Sequence, residues 1–375
     1  MRILFTFPFC APSVNSISGG PIYLGSQGHD VLVITSKMSD SLKGKVSAPA
    51  FEKLGCTKFY RPYLSSKDLT WRPNICWLNV KSVVAEFKPE AVIGFGDAFF
   101  RLPLKLSRHF QLPLAMFFEY LRPDKFSLPV RGSGKIRKYS PSIYRFCSKQ
   151  FRRYLAKHCA AIMFSYYGDI PFATEVKKEC KNIYYVPWCT ETENNLSQVK
   201  RNKKVGIYIG SLDTFKNAAE LVTAIPLILE QTATEKFIVV GPGDFAPHIK
   251  LLVTKYGPRL QYIESLPRPD AMCLLSSAGF GYTPVTDCGL GFIGDCWGTG
   301  TPLITTHKLD GFLENEDTLI AEDIYELPRT INTLLDSNIL YDRMQQGGMR
   351  RYDTNHTARA VGEKYLEVLQ AIINR

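Results

Sequence analysis

The 375-residue sequence lacks any apolar run of 18 residues or more, so we expect no membrane-spanning helix. It has no Asp-x-Asp, no histidine-rich cluster and no Gly-x-x-x-x-Gly-Lys-Ser/Thr motif. These absences exclude a P-loop and predict a site without a metal ion. The ten cysteines form no Cys-x-x-Cys pair, and several lie in apolar runs, which predicts buried, reduced thiols in a cytoplasmic protein.

Acidic residues are scarce in the first half of the chain. Up to residue 190 there are 28 Lys and Arg against 12 Asp and Glu, a net charge of +16. The remainder has 18 against 23, a net charge of −5. The surplus predicts an anionic partner for the first half, namely a membrane surface, a phosphorylated acceptor or nucleic acid. A generally basic, solvated surface is the alternative.

Short β-rich runs alternate with longer amphipathic stretches along the whole chain, which predicts parallel sheets with helices on both faces. The first residues fit a buried strand better than a signal peptide. The polar stretch 190–204 has little that could enter a core, and we interpret it as an interdomain linker. The fold class is therefore α/β, with two Rossmann-like doubly wound domains facing a cleft, where such sheets bind ligands.

The most informative segment is GFGYTPVTDCGLGFIGDCWGTGTPLITT, residues 279–306. A strand leads into a glycine-containing turn with Asp287, and a short helix with Asp295 follows. The two carboxylates are eight residues apart and can point into one cleft. Carboxylates accept hydrogen bonds from sugar or ribose hydroxyls, and backbone amides at a helix start can hold an anion. Two solvated aspartates around a helix start are the alternative.

Two segments earlier in the chain also have features of a ligand site at the end of a strand. In the first, a strand ends at Gly210, a loop with Ser211 follows, and Lys216 lies where a helix begins. A cation there can neutralise a leaving diphosphate together with the helix N-terminus. In the second, the strand Phe237–Val240 is followed by Gly241-Pro-Gly243, where the backbone can approach a ligand. A plain turn at the end of a strand explains this glycine pair equally well.

Together the three segments resemble the donor site of the group-1 (GT4-like) nucleotide-sugar glycosyltransferases, which have the GT-B fold. Asp287 and Asp295 occupy the two Glu positions of the family's Glu-x7-Glu pattern. The resemblance implies that Asp287 holds hydroxyls of the transferred sugar and Asp295 the nucleotide ribose. Ser211 replaces the family's usual Arg, and Arg268 is the candidate for the missing cation. The implied donor-binding residues are Gly210, Ser211, Lys216, Gly241, Arg268, Asp287, Gly289, Leu290, Gly291 and Asp295.

Two acidic residues follow strands in the first half. Asp97 and Glu119 come after the runs Val92–Gly96 and Ala115–Phe118, at the expected cleft side. We expect both to contact the acceptor, and we assign Glu119, with Lys216 and Asp287, to the catalytic residues. Capping or a salt bridge is as good an interpretation of Glu119. The domains are expected at 1–189 (acceptor) and 190–357 (donor), with a C-terminal helix, about 358–375, returning to the first.

The stretch 131–157 has nine Lys and Arg, no acid, and interleaved aromatic residues. A basic amphipathic helix of this kind suits an anionic membrane surface, although it can equally bind nucleic acid phosphates. A solvated helix that packs its aromatics into the core is the alternative. We expect a cytoplasmic protein with peripheral membrane contact through this stretch.

The resemblance implies a glycosyltransferase (a hexosyltransferase type) that needs no cofactor and moves a sugar from a UDP- or GDP-sugar to a hydroxyl with retention of configuration. The expected acceptor is a growing glycan or a lipid-linked saccharide, as in polysaccharide biosynthesis. Two alternatives stay open: a DNA-modifying glycosyltransferase, and a non-catalytic GT-B-fold binding protein. All three share the fold, so the residues of the site distinguish them.

Overall fold

The computed structural model describes residues 1–7, 15–37, 48–96, 99–118, 121–122, 140–166, 170–190, 199–284, 290–308 and 312–374. The chain divides into two compact units. The first unit comprises Met1–Cys189 and Ala358–Arg375, and the second comprises Thr190–Thr357. Each unit contains its own sheet, and the two are described separately below.

The first unit contains an eight-stranded sheet with the order β3-β4-β2-β1-β5-β6-β7-β8. Apart from the antiparallel pair β3–β4, neighbouring strands are parallel. The strands are β1 (Arg2–Thr6), β2 (Asp30–Ser36), β3 (Phe51–Leu54), β4 (Thr57–Tyr63), β5 (Ala91–Phe95), β6 (Leu114–Phe118), β7 (Ala161–Phe164) and β8 (Ile183–Tyr185).

The central strands of this sheet are covered on both faces, which explains their nearly continuous apolar sequences. Phe5, Ile93 and Phe117 belong to the core on one face, and Leu4, Val92 and Met116 belong to the core on the other. Among the described residues of this unit, the helices are α1 (Asn15–Ser26), α2 (Ser66–Trp71), α3 (Trp77–Phe87), α4 (Arg101–Phe110), α5 (Pro141–Lys157), α6 (Ile170–Val176) and α13 (Ala358–Ile373).

The C-terminal helix α13 packs against α1 and groups with the first unit. A Cβ atom at Gly20 would lie 2.4 Å from the ring of Tyr365, and one at Gly362 would lie 2.3 Å from the ring of Tyr23. Glycine at these two positions lets the two helices approach closely, with Tyr365 in the core and Tyr23 half-buried.

The second unit contains a six-stranded sheet with the order β11-β10-β9-β12-β13-β14, and all of its strand pairs are parallel. The strands are β9 (Asn202–Ile209), β10 (Lys236–Val240), β11 (Leu260–Ile263), β12 (Ala278–Thr283), β13 (Leu303–Thr305) and β14 (Leu319–Ile320). The helices are α7 (Ala218–Gln231), α8 (Ala246–Tyr256), α9 (Arg268–Ser277), α10 (Leu290–Thr299), α11 (Leu327–Asp336) and α12 (Asn338–Asn355).

The predicted linker 190–204 is too long at both ends. Thr190 is buried, and its amide donates to the carbonyl of His356 over 2.9 Å. Arg201 donates to the carbonyls of Thr299 and Gly300 over 2.9 and 2.6 Å, and β9 begins directly after it. These polar residues join the second unit because the C-terminal ends of α10 and α12 supply carbonyl acceptors for them, which composition alone does not show.

No helix among the described residues is long and apolar enough to cross a membrane. The described cysteines are free, but their expected burial is only partly correct. Cys180, Cys189 and Cys296 are buried, whereas Cys56, Cys147 and Cys273 are exposed. Helical and turn positions decide this difference, since an apolar run does not say which of its residues faces the core.

Candidate functional site

The strand order of the second unit reverses direction between β9 and β12, which are neighbours in the sheet. Open parallel sheets bind ligands at such a switch point, outside the carboxyl ends of the strands. Four strands place a segment at this edge. These segments follow β9 (from Gly210), β10 (from Gly241), β12 (from Pro284) and β13 (from Thr306).

The predicted glycine residues allow the segments after β9 and β10 to pack tightly together. Gly241 has a φ of 140°, and a Cβ atom there would lie 1.9 Å from the carbonyl oxygen of Gly210. Gly243 has a φ of 153°, and its Cβ would lie 2.2 Å from the carbonyl oxygen of Leu212. The amide of Leu212 in turn donates to the carbonyl of Pro242 over 2.8 Å. In the structure these glycines therefore allow the loop after β10 to pack against the loop after β9.

Lys216 lies at the end of a short 3-10 turn, Thr214–Lys216, directly before helix α7. The Asp213 side chain caps this turn, because its Oδ1 accepts a hydrogen bond from the amide of Lys216 over 2.9 Å. Asn217 follows with a φ of 53°, the left-handed conformation that asparagine tolerates. Ser211, earlier in the same segment, accepts a hydrogen bond at its carbonyl from Tyr208 over 3.1 Å. Lys216 thus occupies the predicted position at a helix start.

Asp295 and Arg268, both predicted donor-binding residues, form a bidentate ion pair. Arg268 is the first residue of α9, and its two terminal nitrogens donate to Oδ1 and Oδ2 of Asp295 over 2.7 and 3.2 Å. The aspartate side chain is only 8% exposed, whereas the arginine side chain is 40% exposed. A carboxylate has about four acceptor positions, so this pairing leaves Asp295 with unused acceptor capacity.

Burial raises the pKa of the Asp295 carboxyl above its usual range, and the hydrogen bonds and charge of Arg268 oppose that rise. Arg268 therefore compensates a buried acid. The sequence suggested Arg268 as a cation for a diphosphate and did not suggest this pairing, because the two residues are 27 positions apart.

Four hydrogen-bond donors converge on Glu220, a residue that sequence reasoning missed. Glu220 accepts from Tyr282 over 3.1 Å, from Asn217 over 2.7 Å and from Thr306, and its Oε2 lies 2.8 Å from Nε2 of His307. The only signal in the sequence is an acid four residues after Lys216. An acid in a first helical turn is common for electrostatic reasons, so that signal alone is weak.

The remaining predicted site residues are described only in part. Asp97, Glu119, Asp287 and Gly289 lie outside the described residues. Leu290 begins α10, and Gly291 is exposed in its first turn with open space where a Cβ would be. Within the described ranges, no three His, Cys, Asp or Glu side chains are grouped so that they could hold a metal ion.

The basic helix α5 uses much of its charge inside the first unit. Lys149 and Arg152 pair with Glu175 over 2.8 and 3.2 Å, and Arg153 pairs with Glu179 over 3.0 Å. The helix also packs Tyr144, Phe151 and Leu155 against the core. Ile143 and Phe146 are 60% and 64% exposed. The outward-facing part of α5 is therefore smaller than its composition indicates.

No family model and no curated protein matches the sequence, but solved structures match its fold. A sucrose-phosphate synthase from Thermosynechococcus elongatus is 15% identical, with a TM-score of 0.73, and the match covers 100% of this chain and 99% of that chain. Anabaena HepE in complex with UDP is 11% identical, with a TM-score of 0.68 and coverage of 99% and 100%.

A third match is an α,α-trehalose-phosphate synthase (UDP-forming) from Burkholderia vietnamiensis. It is 10% identical, with a TM-score of 0.67 and coverage of 99% of this chain and 98% of that chain. Identities this low establish the fold alone. The structural likeness over the full length confirms the expected fold class, and the chain has the GT-B fold built from two Rossmann-like units.

Proposed function

We propose that the chain is a glycosyltransferase that moves a sugar from a UDP-sugar to a hydroxyl acceptor. The observation that carries the proposal is the arrangement at the switch point of the second sheet, where Lys216 precedes a helix N-terminus. The Asp295–Arg268 pair lies at the start of α9 in the same unit. The fold adds support, since a matching structure contains UDP and another contains UDP and glucose. A GDP-sugar is the second nucleotide to test.

Each site residue has a defined task in this proposal. Asp295 accepts hydrogen bonds from the ribose, Asp287 holds hydroxyls of the transferred sugar, and Lys216 neutralises the diphosphate. Asp97 and Glu119 of the first unit contact the acceptor. The second unit, 190–357, is thus the donor domain, and the first unit, with the C-terminal helix, is the acceptor domain.

We propose transfer with retention of configuration. The bond between the anomeric carbon and the diphosphate oxygen breaks, and a bond to the acceptor oxygen forms on the same face. The acceptor proton passes to the leaving phosphate oxygen, so that no metal ion or protein base is needed for charge balance. Lys216 and the amide groups at the helix N-terminus stabilise the negative charge that develops on the diphosphate.

The acceptor in this proposal is a growing glycan or a lipid-linked saccharide near an anionic membrane. The net charge of +16 in residues 1–190 supports it, as do the exposed Ile143 and Phe146 on either side of Arg145 in α5. Ile143 and Phe146 are three residues apart and therefore share one face of the helix. Apolar residues beside cations suit the surface of an anionic bilayer.

Thermal shift with UDP-, GDP-, ADP- and dTDP-sugars tests the donor. We expect stabilisation by one nucleotide class, lost in Asp295→Ala and kept in Glu230→Gln, a matched change on the exposed end of α7. No shift with any donor, in protein shown to be folded, would contradict the donor site. Donor binding without turnover over many acceptors would favour the non-catalytic alternative.

Vesicle sedimentation tests the membrane contact. We expect binding to vesicles with phosphatidylglycerol, weak binding to phosphatidylcholine alone, and a severalfold loss in the double change of Ile143 and Phe146 to Ser. Equal binding to both vesicle types, or unchanged binding of the variant, would contradict contact through α5.

A further inference from the structure

Glu220 collects hydrogen bonds from three different segments at the carboxyl edge of the second sheet. Asn217 belongs to the segment after β9, Tyr282 to the end of β12, and Thr306 and His307 to the segment after β13. Its side chain is 18% exposed and that of His307 is 33% exposed. An acid that only complements a helix N-terminus needs none of these four partners.

The neighbours of Glu220 reinforce the cluster. Burial, with the charge of Glu220 as the next cause, raises the pKa of Tyr282 well above its usual range, so the phenol stays protonated and donates. Asn217 also donates to the carbonyl of Pro284 over 3.1 Å, and its Nδ2 lies 3.4 Å from Nε2 of His307. The loops are therefore connected to the Glu220 carboxylate, either directly or, for Pro284, through the side chain of Asn217.

These contacts bridge the switch point itself. Asn217 is the residue directly after Lys216, and Pro284 is the last described residue before the segment that contains Asp287. The hydrogen bond from Asn217 to Pro284 therefore connects the segments that follow β9 and β12, the two strands between which the order reverses. A ligand at that point meets both segments.

We infer that Glu220 is a positioning residue for the diphosphate of the donor: it fixes the Lys216 turn relative to Pro284 through Asn217, Tyr282, Thr306 and His307. The inference rests on the proposed function, because it assigns the diphosphate to Lys216. Glu220 need not touch the nucleotide. It acts by holding the lysine where its charge is used, and misplacement by about 1 Å is enough to weaken such a contact strongly.

The test compares UDP with uridine, which lacks the diphosphate, by isothermal titration calorimetry. We expect Glu220→Gln to weaken UDP binding about tenfold and uridine binding less than about twofold. In a Lys216→Ala background the same change should cost UDP binding less than about twofold, because the group that it positions is gone. Glu230→Gln, on the same helix, should change neither affinity in either background.

Equal weakening of UDP and uridine by Glu220→Gln, or an undiminished effect in Lys216→Ala, would show that Glu220 only stabilises the fold. Should Glu220→Gln fail to fold, His307→Gln removes one of the four contacts, and the same selective loss, about threefold, is expected. An unselective loss there overturns the inference. If the unmodified protein binds no UDP, the proposed function fails, and that outcome is distinct from normal UDP binding with an unaffected Glu220→Gln.

Discussion

Two arginine–carboxylate pairs, one in each unit, have opposite patterns of burial. In the first unit Arg152 is 1% exposed and its partner Glu175 is 29% exposed. In the second unit Asp295 is 8% exposed and its partner Arg268 is 40% exposed. The pKa of Glu175 is lowered, chiefly by a hydrogen bond from Lys149, whereas burial raises the pKa of Asp295. The first pair neutralises a buried cation, and the second holds a buried acid beside a cation that solvent can reach.

This difference separates a structural pair from a pair suited to a ligand. Arg152 connects α5 to Glu175 and also donates to the carbonyl of Leu121, so its guanidinium is committed to the fold of the first unit. Asp295 keeps acceptor capacity, and Arg268 is partly solvated and can reorient at low cost. Two arginine–carboxylate pairs can therefore have different tasks, and binding and stability measurements on variants of each pair distinguish them.

The largest expected effect is on nucleotide binding. Asp295→Ala should weaken UDP binding about 100-fold, because the loss of a charged hydrogen-bond acceptor costs about 2–3 kcal/mol. Calorimetric titration measures it, and Glu175→Gln is the control, with unchanged UDP affinity expected. Similar UDP affinity of the unmodified protein and Asp295→Ala would remove Asp295 from the donor site.

The next effect is on stability. Glu175→Gln should lower the free energy of unfolding by about 2 kcal/mol, since the buried Arg152 loses its charged partner. The contact that Glu175 also makes with the exposed Lys149 contributes little. Urea unfolding followed by circular dichroism measures the loss of stability, with Glu367→Gln, which removes an exposed pair with Lys364, as the control near zero. If both variants unfold alike, the Arg152 pair has no special structural weight.

Lysine substitutions sharpen the comparison further. Arg268→Lys should weaken UDP binding about fivefold, because lysine cannot make the bidentate contact with Asp295. Arg152→Lys should leave UDP binding unchanged and lower the free energy of unfolding by about 1 kcal/mol. UDP affinity and the free energy of unfolding are measured for both variants. If the pairs differ in task, Arg268→Lys mainly weakens UDP binding and Arg152→Lys mainly lowers stability. Parallel losses in the two variants would contradict the distinction.

The smallest expected effect is on the pH dependence of stability. The contributions of Glu175 and Asp295 should change with pH in opposite directions. The folded-state pKa of Glu175 is lowered from 4.5, so its contribution is present above that pH and is lost as the pH falls. The folded-state pKa of Asp295 is raised from 3.8, so its contribution is present below that pH and is lost as the pH rises through the raised value. Relative to the unmodified protein, Glu175→Gln should recover stability on acidification, and Asp295→Asn should recover it towards neutral pH. Unfolding free energies at several pH values check this, and curves of equal slope would be evidence against the assigned causes.

Much of the fold could be predicted from the sequence. Buried parallel strands have nearly continuous apolar runs, and such runs indicated β1, β5, β6 and β10 because burial on both faces leaves no polar alternation. The positions of Gly210 and Lys216 at the end of a strand and the start of a helix followed from the same local signals.

Other features were not predictable, for two reasons. Glu220 and His307 are 87 residues apart, so their contact depends on the adjacent placement of β9, β12 and β13 in the sheet and has no local pattern. Arg152 was counted as part of a basic surface, yet it is buried beside Glu175, because an arginine on a helix can face either core or solvent.

The sequence by itself determined the alternation of strands and helices, the uneven charge and the placement of candidate residues at strand ends. These are properties of short segments, in which apolar spacing and turn chemistry act over a few residues. Only the tertiary structure decided that Arg268 pairs with Asp295, that Gly241 and Gly243 face the neighbouring loop, and that Glu220 joins three segments. The physical reason is that side-chain partners are set by strand order, which brings distant parts of the chain to one edge of a sheet.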